Sequence, residues 1–130
     1  MSPEHFRHFL LSAIRRLANV AHRHGKCAVM HSCGSIYRVI PDLIDAGIDV
    51  LHPLQAQAAG MSAKELAQYK NDLAFIGGVD AQGILTTGTP RQVHEEAERV
   101  WDILGPNLIL SPSHEEVLPN VPPENTLALA

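Results

Sequence analysis

The apolar positions of the chain fall into four short runs, separated by longer segments with helical spacing. The runs cover residues 27–30, 48–51, 74–77 and 108–110. Each run is too short for a helix and shows no regular alternation with polar residues, which is typical of strands in the interior of a parallel sheet. The pattern therefore predicts one helix followed by four strand-helix units.

The first helix has a clear start and end in the sequence. Ser2 is a good N-cap residue and Pro3 suits the first helical position, so we expect the helix to begin there and to run to Gly25. Apolar residues recur at helical spacing and predict its buried face: Phe6, Phe9, Leu10, Ala13, Leu17, Val20 and Ala21.

Two later helices begin at capping boxes. Ser62 and Thr89 each precede a Glu or Gln by three residues, which predicts helices from Ser62 to about Asn71 and from Thr89 to Gly105. A polar loop is expected before Thr89. The apolar stripe predicted for the Thr89 helix is Val93, Ala97, Val100, Trp101 and Leu104. The remaining helical segments are 36–46, interrupted or restarted at Pro41 and closed by Gly47, and one beginning at 122–124.

The order of these elements predicts a single α/β domain over residues 1–130 with a parallel sheet. Helices lie between successive strands, and the chain contains no two-residue hairpin signal. Four (β/α) units are half of an eight-stranded (β/α)8 TIM barrel. A doubly wound open sheet is the competing architecture, but no glycine-rich phosphate loop follows the first strand.

Composition narrows the classes of function. The net charge is −4 and the basic residues are dispersed, which argues against a nucleic-acid surface. No apolar run approaches the ~20 residues that cross a bilayer, and no signal-peptide pattern begins the chain, so we expect a cytoplasmic protein without a membrane partner. The two cysteines are not expected to form a disulfide in that compartment.

Polar residues with useful chemistry follow each predicted strand. His31 and Cys33 lie two residues apart after the first strand, which is a metal-ligand spacing, although a buried thiol beside a hydrogen-bonded histidine would look the same. The carboxyl ends of parallel strands carry the active sites of α/β folds, so these residues are the candidates for function. The others at strand ends are His52, Gln55 and Gln57, then Asp80 and Gln82, then Ser111, Ser113 and His114.

Several stretches together resemble the uroporphyrinogen decarboxylase superfamily, which includes the decarboxylases of haem synthesis and zinc-dependent methyltransferases that act with corrinoid proteins. The matching stretches are 31–34 (HSCG), 43–51 (LIDAGIDVL), 75–80 (FIGGVD), 113–114 (SH) and 119–125 (PNVPPEN). They cover nearly the whole chain in family order. The resemblance implies the C-terminal half of a (β/α)8 barrel and leaves the N-terminal half missing.

The two branches of the family imply different chemistry. The methyltransferase branch implies zinc bound by His31, Cys33 and a third ligand at His114, with methyl transfer from a corrinoid protein to a thiol-type acceptor. Asp80 would then serve with His114 in catalysis or substrate orientation. The remaining residues would contact a small-molecule substrate: His52, Gln55, Gln57 and Gln82.

Two alternatives stay open. The first is a decarboxylase of porphyrin metabolism, in which His114 contacts substrate or donates a proton, Asp80 is structural and no metal binds. The second is a non-catalytic half-barrel. In every case four parallel strands leave open edges and one apolar sheet face, so we expect self-association or pairing with a missing N-terminal half.

Overall fold

The computed structural model describes residues 1–129 and contains one sheet of four parallel strands. The strands lie side by side in the order of the chain, and every neighbouring pair is parallel. The predicted α/β class with a parallel sheet is confirmed. The strands are β1 (Val29–His31), β2 (Val50–Leu54), β3 (Ala74–Val79) and β4 (Leu108–Pro112).

Helices connect the strands and flank the sheet. Two short 3-10 turns, Tyr37–Val39 and Ala67–Tyr69, adjoin α3 and α4. None of the helices in residues 1–129 combines the length and the hydropathy of a membrane-spanning segment. The helices are α1 (Pro3–Phe9), α2 (Leu11–Arg23), α3 (Ile40–Asp45), α4 (Ala63–Leu66), α5 (Ile84–Thr87), α6 (Pro90–Leu104) and α7 (Pro123–Leu129).

The predicted helix starts are confirmed by the caps themselves. The Ser2 hydroxyl accepts the His5 N–H at 3.2 Å, and Ser62 and Thr89 both form complete capping boxes. Gly47 follows α3 with φ +91°, a conformation that L-residues with a side chain rarely adopt. Local sequence therefore determines where three of the seven helices in residues 1–129 begin and where α3 ends.

The first helix was predicted wrongly in two respects. It breaks at Leu10, so α1 and α2 are separate helices rather than one helix up to Gly25. The predicted buried face is also largely wrong, because Leu17 is 71% exposed and Phe9 is 63% exposed, whereas Ala18 is buried. Ala18 lies next to Gly47, where a Cβ would come within 3.6 Å of the Ala18 methyl group. One continuous helical stripe does not describe two separate helices.

Strand boundaries and two other details also differ from the predictions. β1 begins two residues later than expected, and β2 continues past residue 51, so His31 and His52 are strand residues. The loop expected before Thr89 contains α5. Trp101 is 47% exposed, although the stripe of α6 predicted it to be buried. Pairing with neighbouring strands, which a single segment does not reveal, sets these strand ends.

The two faces of the sheet differ sharply. Successive strand residues point to opposite faces, and the register places Leu51, Phe75 and Leu108 in one row. This row belongs to the buried core beneath α3 and α6, and we call it the covered face. The opposite face carries Val29, Val50, Ile76 and Ile109, which we call the open face. Val29 and Ile109 are 54% and 63% exposed there.

A carboxylate ties the end of α2 to the sheet. The Asp49 Oδ2 atom accepts the Ala28 N–H at 2.7 Å and the His22 Nε2–H at 2.7 Å. Desolvation is the largest influence on the pKa of Asp49 and raises it, but the bonds from Ala28 and His22 together outweigh it, so the pKa lies below the ordinary value. Asp49 is thus held as the charged form at the start of β2.

Candidate functional site

The candidate site lies where the carboxyl ends of the four strands meet. His31 and His52 are direct partners in the register of β1 and β2, on the same side as the open face. Cys33 follows β1, and the turn after β4 brings His114 and Glu115 to the same end. Residues from the ends of all four strands therefore line one cavity.

Side chains that can bind a metal ion lie on both sides of the His31 ring. Its Nε2 atom lies 3.5 Å from Cys33 Sγ. Its Nδ1 atom lies 3.1 Å from His52 Nδ1 and 3.5 Å from a Glu115 carboxylate oxygen. The donor atoms of His31, His52 and Glu115 all lie within 4.8 Å of one another, a spacing that a single metal ion could bridge. Glu115 was not among the residues singled out from the sequence.

His114 stands apart from this group. The predicted ligands His31, Cys33 and His114 do not form a set of donor atoms that all lie within 4.8 Å of one another, and this ligand set stays a prediction. Instead, His114 Nδ1 lies 3.3 Å from the Gln55 amide nitrogen. His114 and Cys33 do line the same cavity, so both would contact a molecule bound there.

Gln55 links three strand ends and sets the tautomer of His114. Its Oε1 atom accepts the Gly34 N–H at 2.7 Å, which turns its NH₂ group toward His114. An amide NH₂ only donates, so His114 Nδ1 must accept and the proton of the neutral ring is on Nε2. Gly34 has φ +76°, a turn after Cys33 that favours glycine. Gln55 therefore positions other site residues besides being a candidate for substrate contact.

Asp80 is held by its own neighbours. Its carboxylate accepts the Gln57 amide N–H at 2.9 Å and the Gln82 backbone N–H at 3.0 Å. These bonds fix the loop after β3, from which the Gln82 side chain lines the cavity. Ser113 is 2% exposed and its hydroxyl accepts the Ala81 N–H at 3.1 Å, so it joins the ends of β3 and β4.

A cavity of about 210 Å³ opens at this end of the sheet. It is smaller than the roughly 300–1,000 Å³ of sites that enclose drug-sized ligands, so by itself it would admit a small molecule or one end of a larger one. Its lining is mixed, with one thiol, one imidazole and two carboxylates among polar and apolar groups. The lining residues are Cys33, Pro53, Gln82, His114, Glu115, Glu116 and Leu118.

Comparison with known proteins assigns the chain to a family. A family model described as uroporphyrinogen decarboxylase (URO-D) matches residues 1–130. The chain belongs to the uroporphyrinogen decarboxylase family. The strand-end residues described above are thus the candidate site of a URO-D family member, and the family predicted from the sequence motifs is confirmed.

A solved structure adds detail on the architecture. The URO-D family chain is similar to a methyltransferase from Methanosarcina mazei, with a TM-score of 0.78 and 27% sequence identity. The match covers 99% of this chain and 36% of that chain. The chain therefore spans about a third of the methyltransferase it matches, which agrees with the predicted half of a (β/α)8 barrel. A search of curated proteins found no match.

Proposed function

We propose that this URO-D family chain acts in zinc-dependent methyl transfer from a corrinoid protein to a thiol-type acceptor. The observation that supports this proposal most directly is the distance of 3.5 Å between His31 Nε2 and Cys33 Sγ. Nitrogen and sulfur ligands of tetrahedral zinc, with bonds near 2.0–2.1 and 2.3 Å, lie roughly 3.5 Å apart. The similarity to a methyltransferase supports the same assignment.

The donor chemistry around Cys33 fits zinc. His31 and Cys33 would hold the ion, with His114 as the third ligand. Coordination by His114 requires the ring to leave the Gln55 amide, because that contact uses the lone pair of Nδ1. Bound zinc would lower the pKa of a coordinated thiol and so provide a thiolate near neutral pH.

The surrounding residues have supporting roles in this proposal. Gln55 orients the Gly34 turn that follows Cys33, and Asp80 is a positioning residue for the loop that presents Gln82 to the cavity. The cavity would hold the acceptor, and the rest of the substrate-binding surface would come from a second half of the barrel. Gln57 acts through Asp80 rather than on substrate.

A cobalt-substituted chain tests the metal site. We expect about one equivalent of Zn²⁺ or Co²⁺ per chain and a thiolate-to-cobalt charge-transfer band that Cys33→Ser removes. Cys27→Ser is the matched control, because Cys27 is exposed and lies before β1. The same samples are then assayed for thiol-dependent demethylation of methylcobalamin. A metal content near zero after zinc is supplied would contradict the proposal.

A decarboxylase is the second candidate, and one observation favours it. Because the Gln55 amide donates to His114 Nδ1, the proton of the ring is on Nε2, next to the cavity. This N–H would bind or protonate an anionic substrate. Asp80 has both carboxylate oxygens occupied by protein donors, as expected of a structural residue. Porphyrinogen decarboxylation is measured in the Cys33→Ser and His114→Ala variants. Activity that is retained in the first variant and lost in the second would support the decarboxylase.

A further inference from the structure

The His31 imidazole stands between two different groups of donors. Cys33 lies next to Nε2, whereas His52 and Glu115 lie next to Nδ1. The methyl-transfer proposal uses the first group and leaves the second without a role. His31 and His52 project from paired strands, so their relative position is set by the sheet rather than by a loop.

The second group has the geometry of a metal site. Two nitrogen ligands of tetrahedral zinc, each bound at 2.0–2.1 Å, lie roughly 3.3–3.4 Å apart. The Nδ1 atoms of His31 and His52 are 3.1 Å apart, and the Glu115 oxygen is 3.5 Å from His31 Nδ1. The side chains of His31 and Glu115 are 44% and 62% exposed, so an ion can reach them from solvent.

We propose that His31 Nδ1, His52 Nδ1 and the Glu115 carboxylate form a second site for Zn²⁺ or a similar first-row divalent cation. Its His₂-carboxylate ligands suit such ions, and a fourth position stays open for water. The site does not depend on the methyl-transfer reaction, and it would exist even if that function were absent.

The two sites exclude each other because they share one ring. A neutral imidazole has one lone pair, on whichever nitrogen carries no proton. An ion at Nδ1 therefore requires the proton on Nε2, which faces Cys33. An ion beside Cys33 requires the proton on Nδ1, where it is donated to His52 or Glu115. One ion per chain follows, with two alternative positions.

The competing explanation is that His52 and Glu115 only orient His31 by hydrogen bonds. The two explanations differ when Cys33 is removed as a ligand. If His31, His52 and Glu115 form a metal site, the Cys33→Ser chain still binds the ion. If His52 and Glu115 only form hydrogen bonds with His31, nothing replaces the lost thiolate and binding disappears. The experiment therefore uses Cys33→Ser as its background.

Co²⁺ binding to the Cys33→Ser chain is measured by isothermal titration calorimetry and visible absorption. We expect one equivalent to bind without a thiolate band. Adding His52→Ala or Glu115→Gln should weaken binding at least a hundredfold. Glu116→Gln is the matched acidic control and His114→Ala the matched histidine control; each should change affinity less than threefold. Far-UV circular dichroism without metal verifies that every variant is folded.

Three outcomes would overturn the proposal. Loss of all binding in Cys33→Ser would reduce His52 and Glu115 to orienting groups. Equal weakening by Glu115→Gln and Glu116→Gln would show a diffuse acidic surface instead of a site. Two equivalents of Co²⁺ in the unmodified chain would contradict the sharing of His31. Absence of demethylation activity would count against the proposed function and leave this site unaffected.

Discussion

The two faces of the sheet carry apolar side chains of similar size in different surroundings. On the covered face, Phe75 is 0% exposed and packs in the core with residues of α3 and α6. On the open face, Val29 and Ile109 keep more than half of their surface in contact with solvent. The covered face therefore stabilises the chain, whereas the open face exposes apolar side chains of the kind that occur at protein interfaces.

Adjacent residues in β4 provide the largest contrast between the faces. Leu108 is 6% exposed and Ile109 is 63% exposed, and their side chains are isomers. Leu108→Ala should lower the free energy of unfolding by about 2–5 kcal/mol, because it leaves a cavity in the core. Ile109→Ala should change it by less than about 0.5 kcal/mol in dilute solution. Urea unfolding measures both, and equal losses would refute the distinction between the faces.

Charge on the open face should prevent association without unfolding the chain. We expect the unmodified chain to form a dimer through this face, and Val50→Asp or Ile76→Asp to shift it to a monomer of 14.2 kDa. Light scattering over a range of concentrations measures the change. Asn19→Asp adds the same charge to the exposed surface of α2 and should leave the dimer intact. An unmodified chain that is monomeric and unfolds cooperatively would contradict the prediction.

Two glycines, at opposite ends of the parallel strands, test the same backbone strain. Gly34 and Gly47 both have positive φ, so replacement by Val should cost about 1–2 kcal/mol at either position. A Cβ at Gly47 would also approach His22 Cε1 to 3.3 Å, whereas a Cβ at Gly34 meets no atom within 4 Å. Gly47→Val should therefore lower the thermal midpoint more than Gly34→Val. The reverse order, or two unchanged midpoints, would contradict this account.

The smallest expected effect is a pH dependence that comes from Asp49. Its pKa is lower in the folded chain, so its charge stabilises the fold above its unfolded pKa, and this contribution disappears as pH falls through the folded pKa. The stability difference between the unmodified chain and Asp49→Asn should therefore shrink as the pH falls below about 4, the ordinary pKa of an aspartate. Urea unfolding at several pH values measures it. A difference that stays constant over this range would exclude the carboxylate as its source.

Local chemistry explains what the sequence could predict. The caps at Ser2, Ser62 and Thr89 depend on residues three positions away, so they are visible in the sequence and recur in the structure. The break at Leu10 and the exposure of Leu17 depend on how α1 and α2 pack against other elements. No spacing within one segment contains that information.

The candidate site likewise has one part that the sequence predicts and one part that it does not. The sequence indicates that His31 and Cys33 lie close together, since they are two residues apart. It does not indicate that Glu115 approaches His31, because the two residues are brought together by a sheet and by a loop after β4. The one available signal was the position of Glu115 directly after His114 at a strand end.

The position of Trp101 gives the molecule a built-in spectroscopic reporter. Trp101 is the single tryptophan of the chain, and it lies half exposed on α6, beside Leu110 and away from the open face. Its fluorescence emission will shift to longer wavelength when α6 leaves the core, since water then surrounds the indole completely. Pairing through the open face leaves the indole environment unchanged. Emission therefore separates loss of the fold from loss of a partner in a single optical measurement.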